Sequence, residues 1–581
     1  MSWEPGWDIG SYAEAYRAGA SVRDVIGAVL EALTAAPTGV LIGEPLREPA
    51  LEQAGTLELR GSDGLPLYGV PFLVKDNIDV GGAPTTAGCP GFEYIAAGDA
   101  TVVARLRAAG AIPVGKANLD QFATGLVGTR SPFGLPPNVL RADLVPGGSS
   151  SGSAVGVALG LVPFALGTDT AGSGRVPAAL NGIVGWKPSV GRASGRGVVP
   201  AVRRFDCPSV FARTVADARR AAEAMSGPDD DEPYSRTSFP MASSPTRRLG
   251  IPAAWPEGTA PDADVLGWFE EALERLADQG YELVPVGLEP FFAAGDLLYG
   301  GPLVAERYVA VGDAVAAGLV GLHPVVSGII EQADKWSAAD AYRAEYQLAE
   351  FRRAVDPVMQ RLDALVLPAT PTLLTIADAI TEPVTANMRL GRYTTFANLL
   401  DLAALVVPIR TDGVAVPAGL QFLGVAGSED LLAGLGAEFI GESFTPTTSA
   451  HRVDVVVVGA HLSGQPLNHQ LTDLGGEFVR ATTTSADYLL YRLRGGPPLK
   501  PGLVRSATGG GAIEVEVWSL DPDSFGRFVQ QVSFPLAIGP IELADGTWQA
   551  GFVAQPAAVV GADDITAVGG WRAYLATQLH A

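Results

Sequence analysis

Two segments rich in glycine and serine, together with one lysine, have the residue types and order that could do chemistry. Lys75 lies in a Val-Lys-Asp-Asn sequence, Ser149 begins the serines of 147–153, and Ser173 lies in 167–175. A serine hydroxyl attacks a carbonyl carbon effectively only when a base takes its proton. All five histidines come after residue 320, so none is close in sequence to either serine. Lysine is therefore the candidate base, provided that burial lowers its pKa enough to leave it neutral.

Two common motifs match parts of this region without accounting for it. Residues 148–152 fit the GxSxG nucleophile elbow, which needs an apolar strand before it and an acid and a histidine after it. The preceding residues, 143–148, make a poor strand. A P-loop needs a lysine directly after its glycines, and the next lysine is Lys187. An isolated run of this composition would be a flexible linker, but strand and helix patterns flank it and favour a functional turn.

The composition indicates an acidic globular protein with more than one domain. Its 581 residues are too many for one core, and 47% are hydrophobic. A net charge of −23 argues against binding to nucleic acid or anionic membranes. Two cysteines, Cys89 and Cys207, without a CxxC pair favour a reducing compartment over a disulfide framework or zinc site. With no signal-peptide pattern and no apolar stretch longer than 154–166, we expect a cytoplasmic protein.

Alternating strand and helix patterns place the candidate residues at the ends of elements. The predicted elements are strands over 67–74, 111–114 and 162–166 and helices over 99–110 and 153–159. Lys75 directly follows the first strand, and the last helix and strand lie between Ser149 and Ser173. Such alternation predicts a layered α/β sheet.

The remainder of the chain indicates a second, smaller domain. The predicted elements there are an amphipathic helix over 12–35, helices over 262–279 and 337–361, and strands over 362–368, 453–459 and 512–518. Around 442–452 the composition shifts to threonine, proline and serine, and the sequence beyond is rich in β patterns. We therefore predict a catalytic domain over 1–445 and a small, mostly β domain over 452–581.

The lysine segment and the two serine segments, taken in order, resemble the amidase signature family. The core motif of that family is a Gly/Ser run followed by G-[ST]-D-x-[GA]-G-S, and the resemblance is strongest over 60–215. It implies an α/β fold with a large mixed β-sheet flanked by helices. It also implies a Ser–cis-Ser–Lys triad, in which Lys75 is the base, Ser149 the bridging serine with a cis peptide, and Ser173 the nucleophile.

The same motif implies an oxyanion hole and several charged structural residues. The backbone amides of Thr170, Ala171 and Gly172, with that of Ser173, would stabilise the transition-state oxyanion. Among the charged side chains of these segments, Asp169 and Arg175 are interpreted as a buried ion pair and Lys187 as a scaffold residue. Asp76 either orients Lys75 or caps a turn.

Three further segments, 122–132, 297–308 and 458–470, resemble the allophanate hydrolases, a family within the amidase signature enzymes. This resemblance covers essentially the whole chain. It implies hydrolysis of allophanate to ammonia and N-carboxycarbamate, then decarboxylation to ammonia and CO2, as part of urea degradation and without a cofactor or metal. Tyr299 and Arg307 would bind the substrate carboxylate, with Gly125 also at the substrate. Eight residues apart, Tyr299 and Arg307 would share one face of a helix, and a planar guanidinium binds a carboxylate bidentately.

The C-terminal domain, by the same resemblance, has a γ-glutamylcyclotransferase-like α+β fold and assists the decarboxylation. Either histidine of this segment could be a proton shuttle near neutral pH, and His469 is the candidate. A structural or surface role is equally open for His469 and is favoured for His461. Two other functions stay open: an amidase for another small amide, and an amidase-like subunit of an amidotransferase assembly. The expected partners are a small anionic amide substrate, a second copy of the chain and a functionally coupled urea carboxylase, with neither nucleic acid nor membrane.

Overall fold

The computed structural model describes residues 3–239, 246–443 and 452–578, apart from the side chains of Tyr299 and Asp523. The chain divides into two compact units, Met1–Thr445 and Pro446–Ala581. Both cysteines are buried and free. Within the described residues, no helix has the length and apolar character that a membrane crossing requires.

The helices of the first unit are α1 (Ile9–Arg17), α2 (Val22–Thr34), α3 (Arg47–Arg60), α4 (Thr101–Ala108), α5 (Ser151–Ala158), α6 (Val176–Leu180), α7 (Val215–Met225), α8 (Ala263–Asp278), α9 (Glu289–Tyr299), α10 (Ala305–Ala316), α11 (Pro324–Ile330), α12 (Ala338–Met359), α13 (Ile376–Thr381), α14 (Thr385–Leu390), α15 (Phe396–Leu399) and α16 (Glu429–Ile440). Its strands are β1 (Pro71–Lys75), β2 (Pro84–Thr85), β3 (Tyr94–Ile95), β4 (Ile112–Ala117), β5 (Phe164–Asp169), β6 (Val184–Lys187), β7 (Cys207–Ala212), β8 (Arg248–Pro252), β9 (Glu282–Val286), β10 (Ala364–Pro368), β11 (Leu402–Thr411) and β12 (Val414–Val425).

The first unit is organised around a mixed ten-stranded sheet with the strand order β4-β1-β5-β7-β6-β11-β12-β10-β8-β9. Helices flank this sheet, and the predicted fold class is confirmed. β1 runs parallel to both β4 and β5. Because parallel strands end at the same edge, the loops after Lys75, Ala117 and Asp169 meet there. The sheet thus brings together segments far apart in the sequence.

Apolar side chains on both sides of β1 hold this edge in place. Phe72 of β1 stacks on Phe164 of β5, with ring centroids 5.2 Å apart. Three residues of α5, Ala154, Val155 and Val157, are buried in a core that also contains Leu73 of β1 and Ala165 of β5. Burial of one Val-sized or Phe-sized side chain stabilises a fold by about 1.5–3 kcal/mol. The strands that carry the site are therefore anchored by local packing.

Most predicted elements of this unit are confirmed, and one is wrong. The structure has strands and helices at each predicted place from β1 to β10. The single amphipathic helix predicted over 12–35 is instead two helices, α1 and α2. They are separated at Gly19, whose φ of +91° is outside the helical range and suits glycine.

The second unit is β-rich, as predicted. Its strands are β13 (Val453–Val457), β14 (Glu477–Thr483), β15 (Tyr488–Arg492), β16 (Pro501–Arg505), β17 (Glu514–Leu520), β18 (Leu536–Glu542), β19 (Trp548–Ala554) and β20 (Asp563–Asp564), and its helices are α17 (His469–Thr472), α18 (Pro522–Gln530), α19 (Pro556–Val559) and α20 (Trp571–Gln578). One sheet has the order β14-β17-β13-β19-β18 and another the order β16-β15-β20. The likeness to γ-glutamylcyclotransferases stays a prediction.

Candidate active site

The amine of Lys75 lies between two hydroxyl groups in a fully buried position. Its Nζ is 2.7 Å from Ser149 Oγ and 2.7 Å from Thr168 Oγ1. Thr168 belongs to β5, beside β1, so the sheet fixes its place relative to the lysine. By accepting one N–H bond, Thr168 orients the amine, and the lone pair of a neutral lysine can then face Ser149. This arrangement suits proton transfer from Ser149 to Lys75.

Burial brings the pKa of Lys75 into the neutral range. Burial lowers this pKa from 10.5 to about 7, because removal from water disfavours the ammonium form. The carboxylates of Asp120, Asp206 and Asp169 oppose the shift. A lysine with this pKa is a base that is available near neutral pH.

The rate of amide hydrolysis is expected to rise with pH and reach a plateau, with a midpoint of about 7. Below that pH the ammonium form predominates, and an ammonium group cannot accept a proton. A profile of kcat/KM against pH checks this expectation, because kcat/KM reports groups of the free enzyme. A rate independent of pH through this region would contradict the assignment of Lys75 as the base.

Ser149 follows a cis peptide bond between Gly148 and Ser149. Helix α5 begins two residues later, at Ser151. The Ser149 carbonyl accepts a hydrogen bond from the Asp120 backbone amide at 3.0 Å. Gly148 is required sterically, since a Cβ there would lie 2.2 Å from Asp120 Oδ2. The Gly/Ser segment is therefore a buried turn fixed by contacts and not a linker.

Ser173 lies in the turn between β5 and α6, where a buried ion pair fixes the backbone. Its side chain is buried. Asp169 and Arg175 are both fully buried and form a bidentate pair at 2.8 and 2.9 Å. Burial alone would raise the pKa of Asp169, but the Arg175 guanidinium holds it below its usual range. This pair has the structural role predicted for it.

The predicted oxyanion hole needs one correction, at Gly172. The Gly172 amide donates to Asp169 Oδ1 at 3.0 Å, so this N–H group is already committed to the ion pair. In the described parts of the chain, the amides of Thr170, Ala171 and Ser173 donate no hydrogen bond. These three amides are therefore the available donors for an oxyanion.

Two hydrogen bonds with residues from elsewhere in the unit support that turn. Thr170 Oγ1 donates to Asp206, and Thr394 Oγ1 donates to the Ala171 carbonyl at 2.7 Å. Both contacts bridge segments distant in sequence. Because they restrain the residues around the free amides, the donors are held before substrate arrives, as electrostatic stabilisation requires.

Two other charged residues of the motifs lie outside the triad. Asp76 forms an ion pair with Lys116, with 3.0 Å between Oδ1 and Nζ, and its Oδ2 accepts from the backbone amide of Thr86 at 2.9 Å. Of the two predicted roles, orienting Lys75 or capping a turn, these contacts support the turn cap. Lys187 Nζ donates to the carbonyls of Pro188 and Leu402 at 2.8 and 2.6 Å. Both residues are buried. Asp76 holds a neighbouring charge in place, and Lys187 holds backbone carbonyls in place.

The residues predicted to bind the substrate carboxylate lie on different helices. Tyr299 is the last residue of α9, and Arg307 belongs to α10, so the prediction of a shared helix is wrong. The sequence Gly300-Gly301-Pro302 ends α9, because proline and glycine disfavour helix continuation. The guanidinium-bearing side chain of Arg307 is buried. The side chain of Tyr299 lies outside the described residues.

Gly125 occupies a position where a side chain does not fit. Its φ is +151°, and a Cβ there would lie 2.7 Å from Asp120 Oδ2 and 3.1 Å from Arg130 Nη1. The glycine is thus required by two neighbouring charged groups. Its contact with substrate stays a prediction.

In the second unit, His461 and not His469 lines a cavity. The cavity of about 70 Å³ is bordered by His461, Gln470, Lys500, Phe528 and Phe552, among other residues. The His461 ring stacks on Phe552 with centroids 4.8 Å apart, and its Nε2 is 2.8 Å from Gln470 Oε1. Burial lowers the pKa of His461.

The side chain of His469 is exposed, and its Nδ1 lies 3.0 Å from the Pro466 carbonyl at the start of α17. The structure therefore does not place His469 in this cavity. Glu514 and Glu516 both pair with Arg572, which fixes α20 against the sheet. No local pattern in the sequence distinguishes the two histidines, because both flank the same short loop.

Thr168 and Asp120 were missed by sequence reasoning. Thr168 stands within the Gly-Thr-Asp motif, so its place was visible while its contact with Lys75 was not. Asp120 precedes the 122–132 segment and carries no motif of its own. Both residues come at the carboxyl ends of strands next to β1, and that position is the feature that could have identified them.

Two family models match this chain. One is described as amidase and matches residues 25–433, and the other is described as allophanate hydrolase C-terminal domain and matches residues 453–576. Among solved structures, the allophanate hydrolase of Kluyveromyces lactis is 37% identical, with a TM-score of 0.77 and coverage of 99% of both chains.

Curated relatives match over different shares of the chain. Urea amidolyase of Saccharomyces cerevisiae is 40% identical over 98% of this chain, which spans only 33% of that protein's length. A glutamyl-tRNA(Gln) amidotransferase subunit of Symbiobacterium thermophilum is 37% identical over 64% of this chain and 82% of its own. The likeness to the amidotransferase subunit therefore leaves about a third of this chain unmatched, whereas the other two extend across almost all of it.

Proposed function

We propose that this chain, which belongs to the amidase family and carries an allophanate hydrolase C-terminal domain, hydrolyses allophanate to ammonia and N-carboxycarbamate. The observation that carries the proposal is the buried contact of Lys75 Nζ with the Oγ of Ser149, the residue that follows the cis peptide. The match to an allophanate hydrolase over the whole chain supports the choice of substrate.

The first step forms a tetrahedral intermediate on Ser173. Ser173 passes its proton to Ser149 while Ser149 passes its own to neutral Lys75, and Ser173 Oγ attacks the terminal amide carbon of allophanate. The negative charge that develops on the carbonyl oxygen is stabilised by the free amides of the turn. One such donor is worth roughly 3 kcal/mol in the transition state.

Collapse of this intermediate reverses the relay. Lys75 returns the proton through Ser149 to the leaving nitrogen, and ammonia departs, which leaves the acyl-enzyme on Ser173. Water then attacks the acyl carbon, with the same relay accepting its proton. This releases N-carboxycarbamate and restores Ser173.

Recognition of the substrate carboxylate is assigned to Arg307, together with Tyr299. A buried guanidinium offers a planar pair of N–H donors to a carboxylate, and the low dielectric of a buried site strengthens that contact. A positive anchor also offsets the net charge of −23 of the chain. These roles rest on the resemblance and on the burial of Arg307.

The test is the substrate range of the purified full-length chain. We expect ammonia release from allophanate and much slower release from simple uncharged amides, because only allophanate presents a carboxylate to the proposed anchor. Malonamate, which has the same length and the same carboxylate, shows how much of the rate requires the central N–H group of allophanate. Equal rates on simple amides would favour a general amidase. Inactivity of the chain alone, with activity restored by other subunits, would favour an amidotransferase component.

We further propose that the second unit assists loss of CO2 from N-carboxycarbamate at the His461 cavity. His461→Ala is expected to slow CO2 release about a hundredfold, the usual contribution of a general acid or base, and to leave the first ammonia unchanged. Time courses of ammonia and CO2 release measure the two steps separately. His469→Ala is the matched control and should change neither, because that side chain is exposed. An unchanged CO2 rate in His461→Ala would remove the role from this cavity.

The partner of this chain in urea degradation would be an enzyme that carboxylates urea. The chain spans about a third of the length of the curated urea amidolyases that it matches. A cytoplasmic location and a homodimer stay predictions.

A further inference from the structure

Asp120 connects the turn of Ser149 to the segment that contains Gly125. Its backbone amide donates to the Ser149 carbonyl at 3.0 Å. Its carboxylate accepts from the amide of Gly128 at 2.9 Å and from that of Arg130 at 2.8 Å. The side chain is fully buried. One residue therefore fixes two segments that meet at the active-site edge of the sheet.

The same carboxylate packs closely on two glycines. A Cβ at Gly148 would lie 2.2 Å from Asp120 Oδ2, and a Cβ at Gly125 would lie 2.7 Å from the same atom. Neither position tolerates a side chain while Asp120 stays in place. Because Gly148 and Gly125 have no side chains, the carboxylate of Asp120 fits between the cis peptide and the Gly125–Arg130 segment.

We propose that Asp120 is a positioning residue, which holds Ser149 in line with Lys75 and fixes the Gly125–Arg130 segment beside the reacting groups. Asp120 acts through these residues, and within the described parts of the chain it makes no hydrogen bond to Ser173. The part concerning the Gly125–Arg130 segment rests on the proposed function, because that segment is assigned to allophanate. The part concerning Ser149 holds for any acylation of Ser173.

Because Asp120 is charged, its substitution should shift the acid limb of the pH profile, which a purely structural role would not do. Its carboxylate opposes the burial that lowers the pKa of Lys75. Asp120→Asn keeps the size of the side chain but removes the charge, so the ammonium form of Lys75 loses stabilisation. As a result, the pKa of Lys75 falls further, and the acid limb of the pH profile moves to lower pH.

The experiment compares full-length Asp120→Asn with Asp363→Asn. Asp363 is also a buried carboxylate that accepts from a backbone amide, that of Thr246 at 2.8 Å, but it precedes β10 and lies outside the site. Two rates are measured against pH: kcat/KM for allophanate, and sulfonylation of Ser173 by a serine-directed sulfonyl fluoride, which releases fluoride. The second rate does not depend on the identity of the substrate.

For Asp120→Asn we expect both rates to fall about a hundredfold, the typical cost of misplacing reacting groups by about 1 Å, with the acid limb at lower pH. Asp363→Asn should keep the wild-type rates and the wild-type acid limb of the pH profile. Equal rates and equal acid limbs in the two variants, or an unshifted acid limb in Asp120→Asn, would overturn the proposal. If the wild type reacts with the sulfonyl fluoride but leaves allophanate untouched, the proposed function fails while this comparison still decides the role of Asp120.

Asp120→Glu provides a second variant should Asp120→Asn not fold. It keeps the charge and moves the carboxylate by one methylene, so we expect an acid limb near that of the wild type and a sulfonylation rate lowered about tenfold. A wild-type sulfonylation rate in a folded Asp120→Glu would overturn the positioning role, because the carboxylate would then not need its place between the two glycines.

Discussion

Replacement of Ser173 by alanine is expected to abolish ammonia release from allophanate, with kcat falling by about 10⁴-fold or more. Without Oγ no acyl-enzyme can form, and the remaining amides and Arg307 stabilise only a direct attack by water. Steady-state ammonia release measures the loss. Substrate binding should persist, since the predicted carboxylate anchor is unchanged, and calorimetric titration with allophanate can detect it.

The control for Ser173→Ala is Ser153→Ala. Ser153 is also a buried serine, whose hydroxyl donates to the Leu166 carbonyl at 2.8 Å, and it has no place in the relay. Loss of this hydrogen bond should cost about 1 kcal/mol of stability and leave kcat within a few-fold. Retention of ammonia release in Ser173→Ala would exclude Ser173 as the nucleophile.

Lys75→Met is expected to lower kcat by about 10³- to 10⁴-fold and to remove the acid limb of the pH profile. Methionine fills a similar volume but accepts no proton, so Ser149 has no base to which it can pass its proton. The folded state disfavours a charged Lys75, since burial lowers its pKa to about 7. Replacing it removes this penalty at and below neutral pH, so the melting temperature should not fall on that account. A measured kcat loss with a retained melting temperature assigns the effect to chemistry.

Lys187→Met separates the role of Lys75 from that of any buried lysine. Lys187 is also fully buried, and burial also lowers its pKa, but its amine donates to two backbone carbonyls. Removing it leaves those carbonyls without this donor, so we expect a lower melting temperature and an unchanged acid limb. An acid limb near pH 7 that survived in Lys75→Met would show that another group is the base.

Local sequence was enough to predict most of the strands and helices. The strand before Lys75, the small-residue helix α5 and the strand β5 follow from hydrophobic periodicity and from glycine and proline positions. The amphipathic 12–35 segment shows the limit of this reasoning. Gly19 interrupts a continuous apolar pattern there, and periodicity alone does not register a change of backbone direction.

What the sequence by itself determined is the set of reactive residue types: a lysine at a strand end and two serines in glycine-rich turns. Only the tertiary structure decided their partners. The parallel order β4-β1-β5 brings Thr168 and Asp120 to Lys75 and Ser149, and strand order depends on packing across the whole sheet. Likewise, the Gly172 amide donates to Asp169 of the Asp169–Arg175 pair, and packing on Phe552 places His461 at the cavity of the second unit. Patterns of neighbouring residues specify elements, whereas contacts across the sheet depend on how distant elements bury their surfaces.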